Sequence, residues 1–445
     1  MAHAMHLGEV PPVFKIDLSL PPSERYIHVA RQYHNHLVSI TGLFDQLITE
    51  ALPKSLLPWI KRLSRLSLRR LYTHEETEEI KGISRATGIE LYLLVSFNVL
   101  LDLLMGCTSG AALTKLDNPA GEQSQSRLLH FRTLDWGMDE LRKLLVCFEY
   151  VRGPDYDTVL ATNITYIGFV GVLTGVRRGL SISLNFRPNH DTSSWLRNYR
   201  YYGSHLLVLF GWRRSISSML RGHILPSDGS SPPPALDKIW PTVMRTPSTA
   251  AYLIFCDGVD AVVLEKDHRT AHIERQSSFI VATNSDHVTP STRENGHQGD
   301  HIGAALGTGV AVSVVDLIED SEERRKFMQA HWDKKVRQAR KTTSIPECTY
   351  ATARQDPLKR TRASQKRGGG SSHEVAPNGS SLPTPSPGTL VDSQVTATLK
   401  EVVKWTTTYP TTNEMTHFAA VMDPTEGKIV WIRRYLEPLA FDTRY

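Results

Sequence analysis

The chain has 445 residues, 40% of them hydrophobic and 22% charged, which excludes wholesale disorder and collagen-like repetition and leaves ample length for a sizeable core. A net charge of +5, from 51 basic and 46 acidic residues, suits an anionic lipid surface but is too slight to indicate nucleic acid. Cys107, Cys147, Cys256 and Cys348 form no CxxC pair, so a zinc ribbon, a thioredoxin-type motif and a disulfide scaffold are excluded.

In chain order, residues 13–20 read as extended and end at Pro21-Pro22. Helical stretches follow over residues 23–48, 56–71 and 73–87, and Gly88 separates the last from an apolar helix over residues 90–105. That apolar run of about 15 residues is short of the roughly 20 needed to span a bilayer, and it carries Asn98 and Asp102. The pattern changes at Gly106. Strands are predicted over residues 128–133, 144–151, 164–173 and 180–186, the third interrupted by Gly168 and Gly171. A helical block rich in aromatics spans residues 195–220. Hairpins are predicted over 252–265, around Asp257-Gly258, and over 416–434, around Asp423–Gly427. Residues 226–234 read as a linker, and residues 354–394 as a disordered, basic then Pro/Ser-rich insert. No basic and apolar leader opens the sequence, so the expected location is cytoplasmic or peripheral to a membrane, with lysosome and vacuole left open.

Cys107 follows the apolar helix directly, within Met105-Gly106-Cys107-Thr108-Ser109, where a strand is expected to begin. Two readings stand: a small buried hydrophobe, or a nucleophile. About 25 residues on, Arg132-Thr133-Leu134-Asp135-Trp136-Gly137 places a guanidinium and a carboxylate near a strand end; the two are either a site or an exposed ion pair. No histidine stands in a recognisable Cys-His arrangement, and no metal-ligand cluster or dinucleotide fingerprint is visible.

These segments resemble a known family, that of acid ceramidase and the N-acylethanolamine-hydrolysing acid amidase. In it a Cys-Thr-Ser opens the mature catalytic subunit and an Arg-Asn-x-Asp-x-Gly motif follows; here the second reads Arg132-Thr133-Leu134-Asp135-Trp136-Gly137. The likeness continues through residues 13–22, the helix containing Val95-Ser96-Phe97-Asn98, the glycine-rich run from Gly168 to Gly175, Ser183-Leu184-Asn185-Phe186-Arg187 and Thr283-Asn284-Ser285-Asp286. The order is kept over roughly residues 10–330, with the 416–434 hairpin as the last matching piece. Phe186 stands where the family has a glutamate, and Ser285 where it has a tyrosine.

The resemblance implies an α+β fold: an αββα sandwich of the N-terminal nucleophile hydrolase type, with a helical, alpha-subunit-like region at 1–106 and a catalytic, beta-subunit-like domain at 107–445. It implies self-cleavage between Gly106 and Cys107 to an alpha/beta heterodimer. The freed α-amino group, with an unperturbed pKa of about 7.7–8.0, then takes the proton of its own thiol. Carried over by motif, Cys107 is the nucleophile, Asp135 holds the new α-ammonium, Arg132 orients the thiol, Asn284 donates to the oxyanion and Arg324 is a second active-site arginine. No cofactor and no metal is implied. The substrate is a lipid amide: N-acylsphingosine (ceramide), or alternatively an N-acylethanolamine, a non-catalytic lipid-binding relative being the remaining reading. Residues 56–71 mix basic groups with Leu57, Trp59, Ile60, Leu63 and Leu66, as either a peripheral membrane contact or a helix covering the core. The aromatic block around Trp195, Tyr199 and Trp212 either lines an acyl channel or packs in the core.

Overall fold

A computed structural model describes residues 8–42, 45, 53–100, 106–116, 125–153, 157–188, 195–225, 233–286, 314–343 and 395–440. The 354–394 insert, Cys348 and most of the 226–234 linker lie outside them.

Two sheets stack face to face. The larger runs in the order β1 (Val13–Asp17), β4 (Leu145–Val151), β5 (Ala161–Tyr166), β6 (Thr174–Arg177), β7 (Leu180–Phe186), β8 (Ala251–Cys256), β9 (Ala261–Lys266) and β10 (Ala271–Gln276). It is antiparallel except at its rim, where β1 lies parallel to β4. The smaller sheet runs β11 (Phe279–Ala282), β2 (Gly106–Lys115), β3 (Ser126–Asp135), β13 (Thr416–Asp423) and β14 (Lys428–Arg434), with the short β12 (Ala397–Thr398) added beside β2. Apolar residues alternate along these strands: Leu134, Leu145, Ile164 and Phe418 point between the layers, as do Leu128, Ile254 and Val263, whereas Ile182, Leu184 and Leu253 face the helices outside the large sheet.

Helices cover both outer faces. α7 (Ile216–Ile224) and α8 (Leu236–Arg245) lie on the large sheet, while α9 (Val314–Thr343) and α10 (Leu399–Thr407) lie on the small one. This is the αββα layering that the family resemblance implies. The N-terminal region adds α1 (Ile27–Gln32), α2 (His34–Ser39), α3 (Leu57–Ser67), α4 (His74–Thr87) and α5 (Leu91–Leu100), with α6 (Trp195–Leu209) packed beside α5. α4 begins where the Thr73 hydroxyl accepts the Glu76 N–H and ends at Gly88, whose φ of 72° is the left-handed conformation that glycine adopts without cost.

Two expectations change. The strand predicted over 164–173 is two strands: β5 ends at Tyr166, and the chain turns through Gly168 (φ 91°) before β6. The aromatics of α6 and its following turn do not pack in the core, since Trp195, Tyr199 and Trp212 are exposed.

Candidate active site

β2 places Cys107 at the rim of the small sheet, and its alternation sends Cys107 and Ser109 toward the large sheet while Gly106 and Thr108 face the helices. β3 runs antiparallel beside it, pairing Ser109 with Arg132 and Gly106 with Asp135. Cys107 and Arg132 are therefore brought together on the inner face. Asp135 falls on the outer one.

Arg132 is fully buried and its guanidinium is the centre of the inner group. One terminal nitrogen donates to Ser109 Oγ (2.9 Å) and Asn185 Oδ1 (2.8 Å); the other donates to the Leu184 carbonyl (2.8 Å) and lies 3.3 Å from Cys107 Sγ. Among the described residues no carboxylate sits within ion-pair distance of it. A buried cation in that position has an obvious counter-charge in a thiolate. Burial pushes the Cys107 thiol above its ordinary pKa, while the Arg132 charge pulls it back. The exposed ion pair considered for Arg132 and Asp135 is not what forms: both are buried, and they face different partners.

On the outer face Asp135 accepts from Arg324 of α9 and, at 2.7 Å, from the Thr416 hydroxyl. Burial raises its carboxyl, opposed by Arg324 and Thr416. Arg324 also donates to Asn284 Oδ1 (3.0 Å), and that same oxygen accepts the Cys107 backbone N–H at 2.8 Å. The Asn284 amide nitrogen donates to the Phe186 carbonyl (2.7 Å). Asn284 thus holds the nitrogen of Cys107 through its oxygen, and Asp135 is linked to that oxygen only through Arg324. All five residues singled out in the sequence, Cys107, Arg132, Asp135, Asn284 and Arg324, converge on the Gly106–Cys107 junction. The Phe186 substitution leaves the Asn284 contact intact because that contact uses the main chain.

Sequence reasoning gave no role to Ser109, Asn185 or the Leu184 carbonyl. Ser109 was findable, since it is two residues from Cys107 on a strand and so shares its face. Arg187 and Asp286, quoted as motif ends, form a bidentate clamp at 2.7 and 2.9 Å between the end of β7 and the segment after β11; Tyr252 also donates to Asp286 at 2.7 Å. Among the described residues no group of three or more His, Cys, Asp or Glu side chains is placed to hold a metal ion.

A sequence model described as the beta subunit of N-acylethanolamine-hydrolyzing acid amidase matches residues 9–72, within the region designated alpha-subunit-like above. N-acylethanolamine-hydrolyzing acid amidase of Caenorhabditis elegans is 32% identical over 185 residues, covering 39% of this chain and 47% of that protein. Acid ceramidase of Mus musculus is 29% identical over 191 residues, covering 40% and 45%. The amidase of Oryctolagus cuniculus is 27% identical over 312 residues, covering 68% and 78%. The chain thus spans about half the length of the first two relatives. A solved structure of a C. elegans N-acylethanolamine-hydrolyzing acid amidase ortholog aligns with 72% of this chain and 93% of its own, at 17% identity and a TM-score of 0.38.

Proposed function

Because this chain is a relative of the acid ceramidases and N-acylethanolamine-hydrolysing acid amidases, we propose that it is a lipid amidase that uses Cys107 as an N-terminal nucleophile. The observation that carries this reading is the pair of contacts on one residue: Arg132 Nη2 at 3.3 Å from Cys107 Sγ, and Asn284 Oδ1 at 2.8 Å from Cys107 N. Sulfur and nitrogen of the same residue are each held, one by a cation and one by an acceptor.

Activation begins with attack of the Cys107 sulfur on the Gly106 carbonyl. The C–S bond forms, the C–N bond breaks, and the thiol proton ends on the Cys107 nitrogen. Water hydrolyses the resulting thioester and leaves residues 1–106 and 107–445 as two pieces. The freed amine, retained by Asn284 Oδ1, takes the thiol proton in each later cycle. Arg132 stabilises the sulfur anion, and the Arg324–Asp135 pair fixes the Asn284 carboxamide. A substrate amide then acylates Cys107, the amine leaves with the proton held on the terminal nitrogen, and water releases the fatty acid.

The substrate assigned is N-acylsphingosine, with N-acylethanolamine as the second reading; the relatives include proteins named for each. A lipid substrate fits the surface of the N-terminal region. α3 buries none of its residues, and Trp59 (70% exposed), Leu63 and Leu66 stand out beside Arg62, Arg69 and Arg70. α6, packed on the same α5, adds exposed Trp195, Tyr199 and Leu206. Apolar rings among basic groups suit an anionic lipid surface. Among the described residues no helix is long and apolar enough to cross a membrane.

Two measurements test the proposal. Intact mass of purified protein gives pieces ending at Gly106 and starting at Cys107, while Cys107→Ala stays whole. Processed protein incubated with fluorescent N-acylsphingosine and N-acylethanolamine over a pH series releases fatty acid from one of them; a processed protein inert toward both would leave only the lipid-binding reading.

A further inference from the structure

Asn98 is a buried carboxamide that the chemistry above does not use, and it lies on the N-terminal side of the scission. Its amide nitrogen donates to the Gly168 carbonyl (2.8 Å) and to Leu94 O within α5 (2.9 Å), and its oxygen accepts the Val170 N–H (2.8 Å). It thus pairs with the turn after β5 as a neighbouring strand would, using all of its hydrogen-bonding capacity but one lone pair of its oxygen. The same turn is held from its other side: Arg221 donates to the Val170 carbonyl (2.7 Å) and to Glu79 of α4 (2.7 Å), a carboxylate with no exposed side-chain surface. Gly168 fits against the N-terminal region because it lacks a side chain; at φ 91° a Cβ there would lie 3.1 Å from Leu37. Phe97 packs edge-on against Phe169.

The turn leads to the thiol. Val172 N–H bonds to Ser217 O, Leu173 O accepts the Leu184 N–H (3.0 Å), and the Leu184 carbonyl accepts the same Arg132 nitrogen that lies against Cys107 Sγ. Residues 1–106 contain no cysteine, so these residues are held to the rest of the molecule by non-covalent contacts alone.

We propose that Asn98 is a positioning residue of the cut enzyme: through the 168–173 turn it sets the Leu184 carbonyl and hence the Arg132 guanidinium, so the N-terminal piece stays a working part of the site after scission. The inference rests on the reading of Cys107 as nucleophile of a processed amidase.

The test uses processed protein carrying Asn98→Leu, of similar volume but without polar arms, and Asn98→Asp, which keeps the acceptor for Val170 N–H and regains a donor only when protonated. kcat and KM are measured on a fluorogenic N-acyl amide across pH, with melting temperature and hydrogen exchange of peptides covering 168–173 and 180–186. Expected are a kcat loss of at least tenfold for Asn98→Leu with KM within twofold, faster exchange confined to those two segments, and a rate for Asn98→Asp that recovers as pH falls. Unchanged kcat overturns the proposal, as does exchange that rises throughout the molecule in step with a lower melting temperature. If Asn98→Leu does not fold, Glu79→Gln, which keeps a neutral partner for Arg221, is read by the same split and must lose kcat in the same direction. A wild-type protein that hydrolyses no amide refutes the proposed function; the exchange pattern of the variants then decides the positioning role separately.

Discussion

Arg132→Met separates the chemistry of the site from its stability. At 3.3 Å and an effective dielectric constant of about 20, the guanidinium and a Cys107 thiolate attract by about 5 kcal/mol, and methionine removes all of it. Activity that depends on the anion should therefore fall by about a thousandfold or more in kcat/KM. Folding should respond differently. The Leu184 carbonyl loses its partner, at a cost of about 1–3 kcal/mol, while the Ser109–Asn185 hydrogen bond at 2.7 Å survives. Against that, a buried cation with no carboxylate beside it disappears, and replacing such a charge by an apolar side chain of similar length is often neutral or favourable by about 1–4 kcal/mol. The two offset each other, so stability should stay within about 2 kcal/mol of the parent. Urea unfolding of the uncut protein gives the second quantity, and initial rates on a fluorescent N-acyl amide after processing give the first. Arg132→Lys, with its charge kept but its fork lost, should fall between the two. If Arg132→Met retains activity within tenfold of the parent, the cation is not stabilising the sulfur anion and the reasoning fails.

Three further predictions follow from the geometry. A Cβ on Gly110 would lie 2.1 Å from the Ile280 carbonyl and 2.6 Å from the Phe131 ring, so Gly110→Ala must push β11 from β2; a loss of about 3 kcal/mol in urea unfolding is expected, and an unchanged midpoint would show that the strands can part freely. His130, His417 and His223 are held neutral, with burial lowering them to about 3, about 3 and about 4. Their folded-state values lie below the ordinary 6.5, so the unfolded chain binds more protons at acid pH, and stability falls as pH drops below about 6.5 toward 4. Melting temperatures of the Cys107→Ala protein between pH 7.5 and 4.5 check the sign, and His417→Gln should flatten part of the slope. Arg324→Met unties Asp135 from Asn284, so scission at Gly106 should slow by about a hundredfold in a time course on gels, whereas Lys326→Met, exposed on the same helix and paired there with Glu322, should cut at close to the parental rate.

Much of this arrangement was legible before any coordinates. β7 was read residue for residue because Ser181-Ile182-Ser183-Leu184 alternates plainly between the two faces of a strand, and both hairpins declared themselves through Asp-Gly and Asp-Pro turns. The break between β5 and β6 was not legible. Gly168 advertised a place of close approach, but Val170, Val172 and Leu173 are as apolar as any strand, and only packing against α5 decides that they turn. Cys107, Arg132 and Asp135 lie close enough in sequence for β2–β3 pairing to be foreseen. Arg324 lies 189 residues from the Asp135 it bonds, a contact that no local pattern encodes; the resemblance to a family supplied Arg324 as a site residue but not its partner. What neither route gave is the direction in which each carboxamide points. The Asn284 oxygen accepts from Arg324 and from the Cys107 N–H, while its amide nitrogen donates to the Phe186 carbonyl.

The rim strand β1 belongs to residues 1–106 yet is laid parallel against β4, in the sheet opposite the one that carries the thiol. In one unbroken chain, unfolding and refolding are events of one molecule. Under the proposed scission the two halves would have to find each other by diffusion, so the thermal midpoint of cut protein should rise with protein concentration, and recovery after heating should be poor in dilute solution. Maturation would thereby turn a reversible fold into a single-use assembly, whose working lifetime is set by how slowly it comes apart.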